Sequence, residues 1–287
     1  MQYRRTTGLG QPDDLLPAFT HVRSMLELEH GFRVVDVHAR VEPDEERRPR
    51  PGLGDPEQLE REMHQAGVVR AVVYPNARDG DYLKANNAVA RMSVGRPLVA
   101  FARIDGAREP GGGAGSRLRN LTGRGDGNHT TPEDIEQYAY DDRFYGFKLH
   151  PGKDGLPTDA VLEQLADVAL PVLVHGGEEV PPAAIADELL GYDIPVILSH
   201  FGAHPLRVGL MDEAISLLDD HDRLYLDTSV VRYRDPLERA IREHPDRVLF
   251  GSGAPHTHPN VAVMEILTLD VPEDAMTKVF SNNAGRV

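Results

Sequence analysis

Four short apolar runs, each closing on a histidine or a glycine turn, constrain this chain most. They are Val34-Val35-Asp36-Val37-His38-Ala39-Arg40, Pro171-Val172-Leu173-Val174-His175-Gly176-Gly177, Pro195-Val196-Ile197-Leu198-Ser199-His200-Phe201-Gly202 and Arg247-Val248-Leu249-Phe250-Gly251-Ser252-Gly253-Ala254-Pro255. Each is β-branched or Leu-rich without polar alternation, the pattern of a parallel strand buried on both faces. Three of them end on an imidazole. A β/α barrel carries its chemistry at the C-terminal ends of its strands, and neutral imidazole is a good ligand for zinc-like metals. The runs therefore point to a metal-centred pocket at a barrel mouth.

The remaining chain supplies the other strands and the helices between them. Strands are predicted over 34–39, 68–74, 97–104, 145–150, up to His175, up to His200, 224–227 and 248–252, with helical runs between nearly all of them. Eight strands in this alternation predict a (β/α)8 barrel, which needs about 250 residues; the chain has 287. An open doubly wound sheet would be expected to carry a glycine-rich phosphate loop after an early strand, and none is present. Residues 33–287 are read as one barrel domain. Residues 1–32 are read as an extension, with Leu15, Leu16, Phe19, Val22, Met25, Leu26 and Leu28 forming an amphipathic helix against it. The glycine-rich stretch from Asp105 to His129 reads as a long mobile loop or lid.

Charge and composition exclude several classes of function. The net charge is −15, with 46 acidic and 31 basic residues, and only Lys84, Lys148, Lys153 and Lys278 are lysines. A polyanionic partner, nucleic acid or acidic membrane, is disfavoured. So acidic and lysine-poor a surface is expected of a protein adapted to high salt. No run approaches the roughly 20 apolar residues of a membrane span, and the polar N-terminus has no signal-peptide core, so a cytoplasmic protein is expected. There is no cysteine; any metal must be held by histidine, carboxylate, carbamate or water. A small-molecule substrate is expected, and apolar positions on the N-terminal helix suggest a homodimer.

Seven segments in order carry a resemblance. They are Asp-Val-His on strand one, Gly146-Phe147-Lys148-Leu149-His150-Pro151 on strand four, Val-Leu-Val-His-Gly-Gly on strand five and Ile-Leu-Ser-His-Phe-Gly on strand six, then Leu224-Tyr225-Leu226-Asp227-Thr228-Ser229, Leu-Phe-Gly-Ser on strand eight and Asn283-Ala284-Gly285-Arg286. From about Val34 to the C-terminus the chain resembles the amidohydrolase-related TIM-barrel hydrolases and decarboxylases. The resemblance implies one divalent ion, zinc by preference, held by a strand-one His-x-His, a strand-five histidine and a strand-eight aspartate, with the strand-six histidine as a further ligand or proton shuttle. His38, His175 and His200 match those positions. Arg40 stands at the second strand-one histidine and Gly253 at the aspartate, and neither residue can ligate a metal.

Those departures leave roles open. Arg40 reads either as a bidentate anchor for a substrate anion or as a salt-bridge partner of Asp36 or Glu42. His256 and His258, or Glu178 and Glu179, could complete the ligand set, although the two histidines equally suit a helix cap or solvent. Lys148 and His150 share a strand face toward substrate; Lys148 reads as an ion-paired residue, with a carbamate as the alternative. His200 and Asp227 are the candidate acid/base groups. Three functions follow: a metal-assisted hydrolase or non-oxidative decarboxylase of a small organic acid, amide or lactone; a paralogue that has lost catalysis and binds a ligand or partner; and a metal-independent enzyme anchoring its substrate on Arg40.

Overall fold

The computed structural model of the chain describes residues 29–48, 53–77, 82–110 and 129–287. The expected N-terminal helix and most of the glycine-rich loop lie outside the described residues.

Eight parallel strands form one sheet in the order of the sequence: β1 Val34–Arg40, β2 Val68–Tyr74, β3 Leu98–Arg103, β4 Phe144–Leu149, β5 Val172–Gly177, β6 Val196–His204, β7 Leu224–Asp227 and β8 Val248–Leu249. The sheet closes where the β1 backbone meets the chain just after β8. Val37 N donates to Phe250 O at 2.9 Å, Gly253 N to His38 O at 2.9 Å and Arg40 N to Ala254 O at 2.8 Å. The fold is a TIM barrel, as the alternation of runs predicts.

Ten helices of the described residues surround it: α1 Pro56–Gln65, α2 Leu83–Ser93, α3 Pro132–Tyr140, α4 Pro151–Asp154, α5 Asp159–Val168, α6 Pro182–Leu189, α7 Val208–Asp220, α8 Arg234–Glu243, α9 Pro259–Leu267 and α10 Glu273–Thr277. Their starts follow local chemistry. Asp55, Thr131 and Thr158 accept backbone N–H bonds at the N-termini of α1, α3 and α5, and proline occupies the first turn of α1 and α3. The single turn α4 lies between β4 and the next expected helix, where the sequence reading has a plain loop.

The barrel interior is layered. Val37, Val72, Phe101, Leu173, Ile197 and Leu249 form an apolar plug. Gly146 leaves the room for it: a Cβ there would sit 2.5 Å from the Phe101 ring. One step further toward the C-terminal ends, the same faces carry Tyr74, Arg103, Lys148, His175, Ser199, Asp227 and Gly251, because side chains two apart along a strand point the same way. The inward layer thus changes from apolar to chemical over one strand repeat.

Candidate active site

Two irregular strands complete this layer. The β1–β2 register shifts between Asp36 and Ala39, and such a bulge rotates the face that follows. Val37 belongs to the plug, yet His38 and Arg40 both line the cleft above it. On β6 the pairing with β5 jumps from Ser199 to His204 while β5 advances only from His175 to Gly177. His200 (φ 58°) and Phe201 (φ 52°) lie in the left-handed region within that excursion, a conformation that L-residues adopt only when held there. The holding group is Asp227, whose Oδ1 accepts His200 N at 3.1 Å.

Asp227 is the hub of the site. Its Oδ2 lies 2.8 Å from His38 Nδ1, and its Oδ1 accepts the Ser229 backbone N at 2.9 Å and the Ser229 hydroxyl. On the other edge of His38, the Tyr74 hydroxyl sits 2.6 Å from Nε2. Since Asp227 takes the Nδ1 proton, Nε2 is the acceptor and Tyr74 donates. His200 Nδ1 is 2.9 Å from Ser229 O and 2.7 Å from Ser229 Oγ. A buried chain of bonds therefore joins Tyr74, His38, Asp227, Ser229 and His200. The second anchor is Asp36, which accepts His38 N, Ser252 N (both 2.9 Å) and Ser252 Oγ (2.5 Å), tying β1 to the end of β8.

Burial sets the protonation states. Desolvation, reinforced by the neighbouring His38 imidazole, pulls His200 down to about 3, and desolvation likewise lowers His38, His150 and His175. All four imidazoles are neutral near pH 7, with lone pairs to offer. Burial alone would raise the Asp227 carboxyl, but His38, His200 and the Ser229 hydroxyl hold it far below the usual carboxylate range, so it is anionic. Burial raises Asp36 to about 7 and, with Arg103 beside it, lowers Lys148 to about 7.

These residues line a cleft of about 890 Å3 at the barrel mouth. His175 stacks on His150 (ring centroids 4.0 Å apart, planes 12° apart) and meets His200 edge-on at 5.1 Å and His204 at 5.0 Å. The Arg40 guanidinium makes no hydrogen bond or ion pair among the described residues, so neither expected salt bridge forms: Asp36 is taken by Ser252 and His38, and Glu42 by the backbone N of Asp44. Lys148 likewise has no carboxylate partner among the described residues, contrary to the ion pair expected; it touches Ser199 Oγ at 3.3 Å and lies 5.1 Å above the Tyr74 ring. Arg103 is paired instead, its fork on Asp154 at 2.9 and 3.2 Å. Asp154 also takes the Tyr82 hydroxyl (2.6 Å) and His150 N (3.2 Å), which fixes the turn bearing His150.

The predicted residues divide accordingly. His38, His200 and Asp227 each offer a ligand atom, and these atoms lie within 4.8 Å of one another; His175 stands beside that group without joining it. His256 is at the cleft rim. His258 does not complete the site: it caps α9, with Nδ1 accepting Asn260 N and Nε2 turned to Gln65 at 3.2 Å. Glu178 is drawn to Arg207 at the edge. Gly253 has φ +74° and room for a Cβ, 3.5 Å from the nearest atom, so its backbone conformation rather than space disfavours a side chain. Tyr74, Arg103 and Ser229 are the contributors that sequence reading missed. Tyr74 and Arg103 carry a signal, two residues beyond an apolar inward position; Ser229 closes the strand-seven motif, two residues beyond Asp227.

The donor set suits a divalent ion: two neutral imidazoles and one carboxylate, without sulfur. Binding at His38 would displace an existing partner, Tyr74 at Nε2 or Asp227 and Ser229 at Nδ1.

The family model described as amidohydrolase matches residues 35–287. No curated protein matches. Among solved structures, an uncharacterised TIM-barrel protein from Bordetella bronchiseptica is 20% identical over 89% of this chain and 98% of its own, with a TM-score of 0.62. A dihydroxybenzoic acid decarboxylase from Polaromonas, with bound manganese and the inhibitor 2-nitroresorcinol, is 15% identical over 89% and 96% of the two chains (TM-score 0.56). A probable 2-pyrone-4,6-dicarboxylic acid hydrolase from Acinetobacter baumannii, with citric acid bound, is 14% identical over 89% and 98% (TM-score 0.56).

Proposed function

The chain belongs to the amidohydrolase family, and on that premise we propose that it is a metal-dependent hydrolase or non-oxidative decarboxylase of a small organic acid, with a rearranged ligand set. The observation that carries the reading is the position of Asp227. The family resemblance leads one to expect a carboxylate after β8, where this chain has Gly253; a carboxylate from β7 instead stands with His38 and His200 within 4.8 Å. Zinc is the ion proposed, as these donors are imidazole and carboxylate, and the manganese of the Polaromonas enzyme makes manganese the comparison.

The bound ion supplies Lewis acidity, acidifying water and polarising a carbonyl or carboxylate. The protein supplies the rest. The unpaired Arg40 fork binds a substrate carboxylate in two-pronged fashion, in a cleft that also presents Lys148, within a chain of net charge −15. His200, neutral and held through Nδ1 by Ser229, keeps its Nε2 lone pair for the ion. Asp227 fixes the tautomer of His38, and Tyr74 donates to its far nitrogen. A barrel retained only for binding is not favoured, because the mouth is an open polar cleft rather than one filled with apolar side chains.

The test is turnover by zinc- and manganese-loaded protein against hydroxybenzoates, followed as carbon dioxide release, and against carboxylated lactones and amides, followed as hydrolysis. Turnover of at least one class is expected, with Arg40→Gln raising KM ~10–100-fold, the loss of charged hydrogen bonds. A folded, metal-loaded protein inert to all of them would contradict the reading, as would an unchanged KM in the variant.

A further inference from the structure

Lys148 stands apart from the metal-type donors. Of the four lysines it alone is buried, at 2% exposure, and it lines the cleft. A buried lysine normally earns its place through a carboxylate partner. Among the described residues Lys148 has none; its Nζ meets only the Ser199 hydroxyl and the face of Tyr74. Burial and Arg103 disfavour its ammonium form, so near neutrality a good fraction is free amine, the nucleophilic state of lysine. Two residues further along the chain, the Nδ1 of His150 is buried without a hydrogen-bond partner. The Arg40 guanidinium faces the same cleft unpaired. An amine, an unoccupied imidazole nitrogen and a carboxylate anchor are thus brought together.

We propose that Lys148 forms an imine with 3-oxo acids in this cleft and that the imine drives their decarboxylation. Lys148 Nζ attacks the ketone carbon while Arg40 holds the carboxylate. The free amine forms the C–N bond, and the ketone oxygen leaves as water carrying one proton from Nζ and one from solvent, which leaves an iminium with a single N–H. The bond between the carboxylate carbon and C2 then breaks. Carbon dioxide departs, and its bonding pair passes through C2 to the iminium nitrogen, giving an enamine. C2 takes a proton from water in the open cleft, beside the unoccupied Nδ1 of His150 on the turn that follows β4, and water releases the ketone and restores Lys148. One proton is consumed overall, and no oxidant or reductant is required. The sequence of steps uses none of His38, His200 or Asp227 and needs no ion, so it stands or falls separately from the metal-dependent reading.

The test is reductive trapping. Full-length protein, metal-loaded and after chelation, is incubated with acetoacetate and sodium cyanoborohydride near pH 7, and its lysine peptides are mapped by mass. The expected product is an isopropyl group on Lys148, at equal occupancy in both preparations and well above Lys84, Lys153 and Lys278. Lys148→Met should abolish that adduct and the accompanying carbon dioxide release. An unmodified Lys148 in the wild-type protein, or labelling spread over the other three lysines alone, would overturn the proposal. The wild-type map decides the question even if the variant does not fold.

Discussion

Lys148 shows at the scale of one residue how position overrides residue type. Its value of about 7 lies below the ordinary 10.5, so between those pH values the unfolded chain holds a proton that the folded chain has released. Stability therefore rises with pH across that window, and the penalty for burying the charge is full below it. Lys148→Met removes the penalty. Urea denaturation should show the variant more stable than wild type by of order 3 kcal/mol at pH 6, with the gap narrowing toward pH 9. A gap independent of pH would contradict the assigned state of the amine. This behaviour was not legible in the sequence. The strand-four motif identifies the residue and the face, but whether a carboxylate meets it depends on Arg103 capturing Asp154, a pair of residues 51 apart in the chain.

At the scale of the element, the strands were legible and their irregularities were not. Apolar runs and proline or threonine starts locate every strand and most helices, since buried parallel strands and capped helices have local causes. The ends differ: β6 runs on to His204 where His200 is the expected end, and β8 stops at Leu249 where Ser252 is. The bulge in β1 and the excursion of β6 have no such cause, yet they turn His38, Arg40 and His200 into the mouth. Pattern reading therefore finds the histidines but misses the Tyr74–His38–Asp227–Ser229–His200 chain that binds them. The latch between β1 and β8 is of the same kind: the Ser252 hydroxyl bonds Asp36 and also accepts Ala254 N at 3.0 Å. Ser252→Ala should cost about 1–3 kcal/mol, the price of buried polar groups left unmatched, measured as a fall in urea midpoint at constant m-value. An unchanged midpoint would show that the barrel closes without this latch.

For the whole molecule, the contrast that matters is between an acidic chain and the cationic groups of its cleft. Among the described residues no helix is long and apolar enough to cross a membrane, and the eight-stranded barrel places its polar layer at the C-terminal mouth. The family and fold could be read from seven ordered motifs. The proposed ligand set was legible only in part: the sequence names His38 and His200, while only the folded barrel brings Asp227 beside them. The most direct measurement is calorimetric titration of zinc and of manganese into chelated wild-type protein and into His200→Ala and Asp227→Asn. One equivalent bound by wild type, and affinity reduced at least ~10–100-fold in both variants, is the result predicted. No binding by folded wild type, or binding that both variants retain, would contradict the assignment of this site.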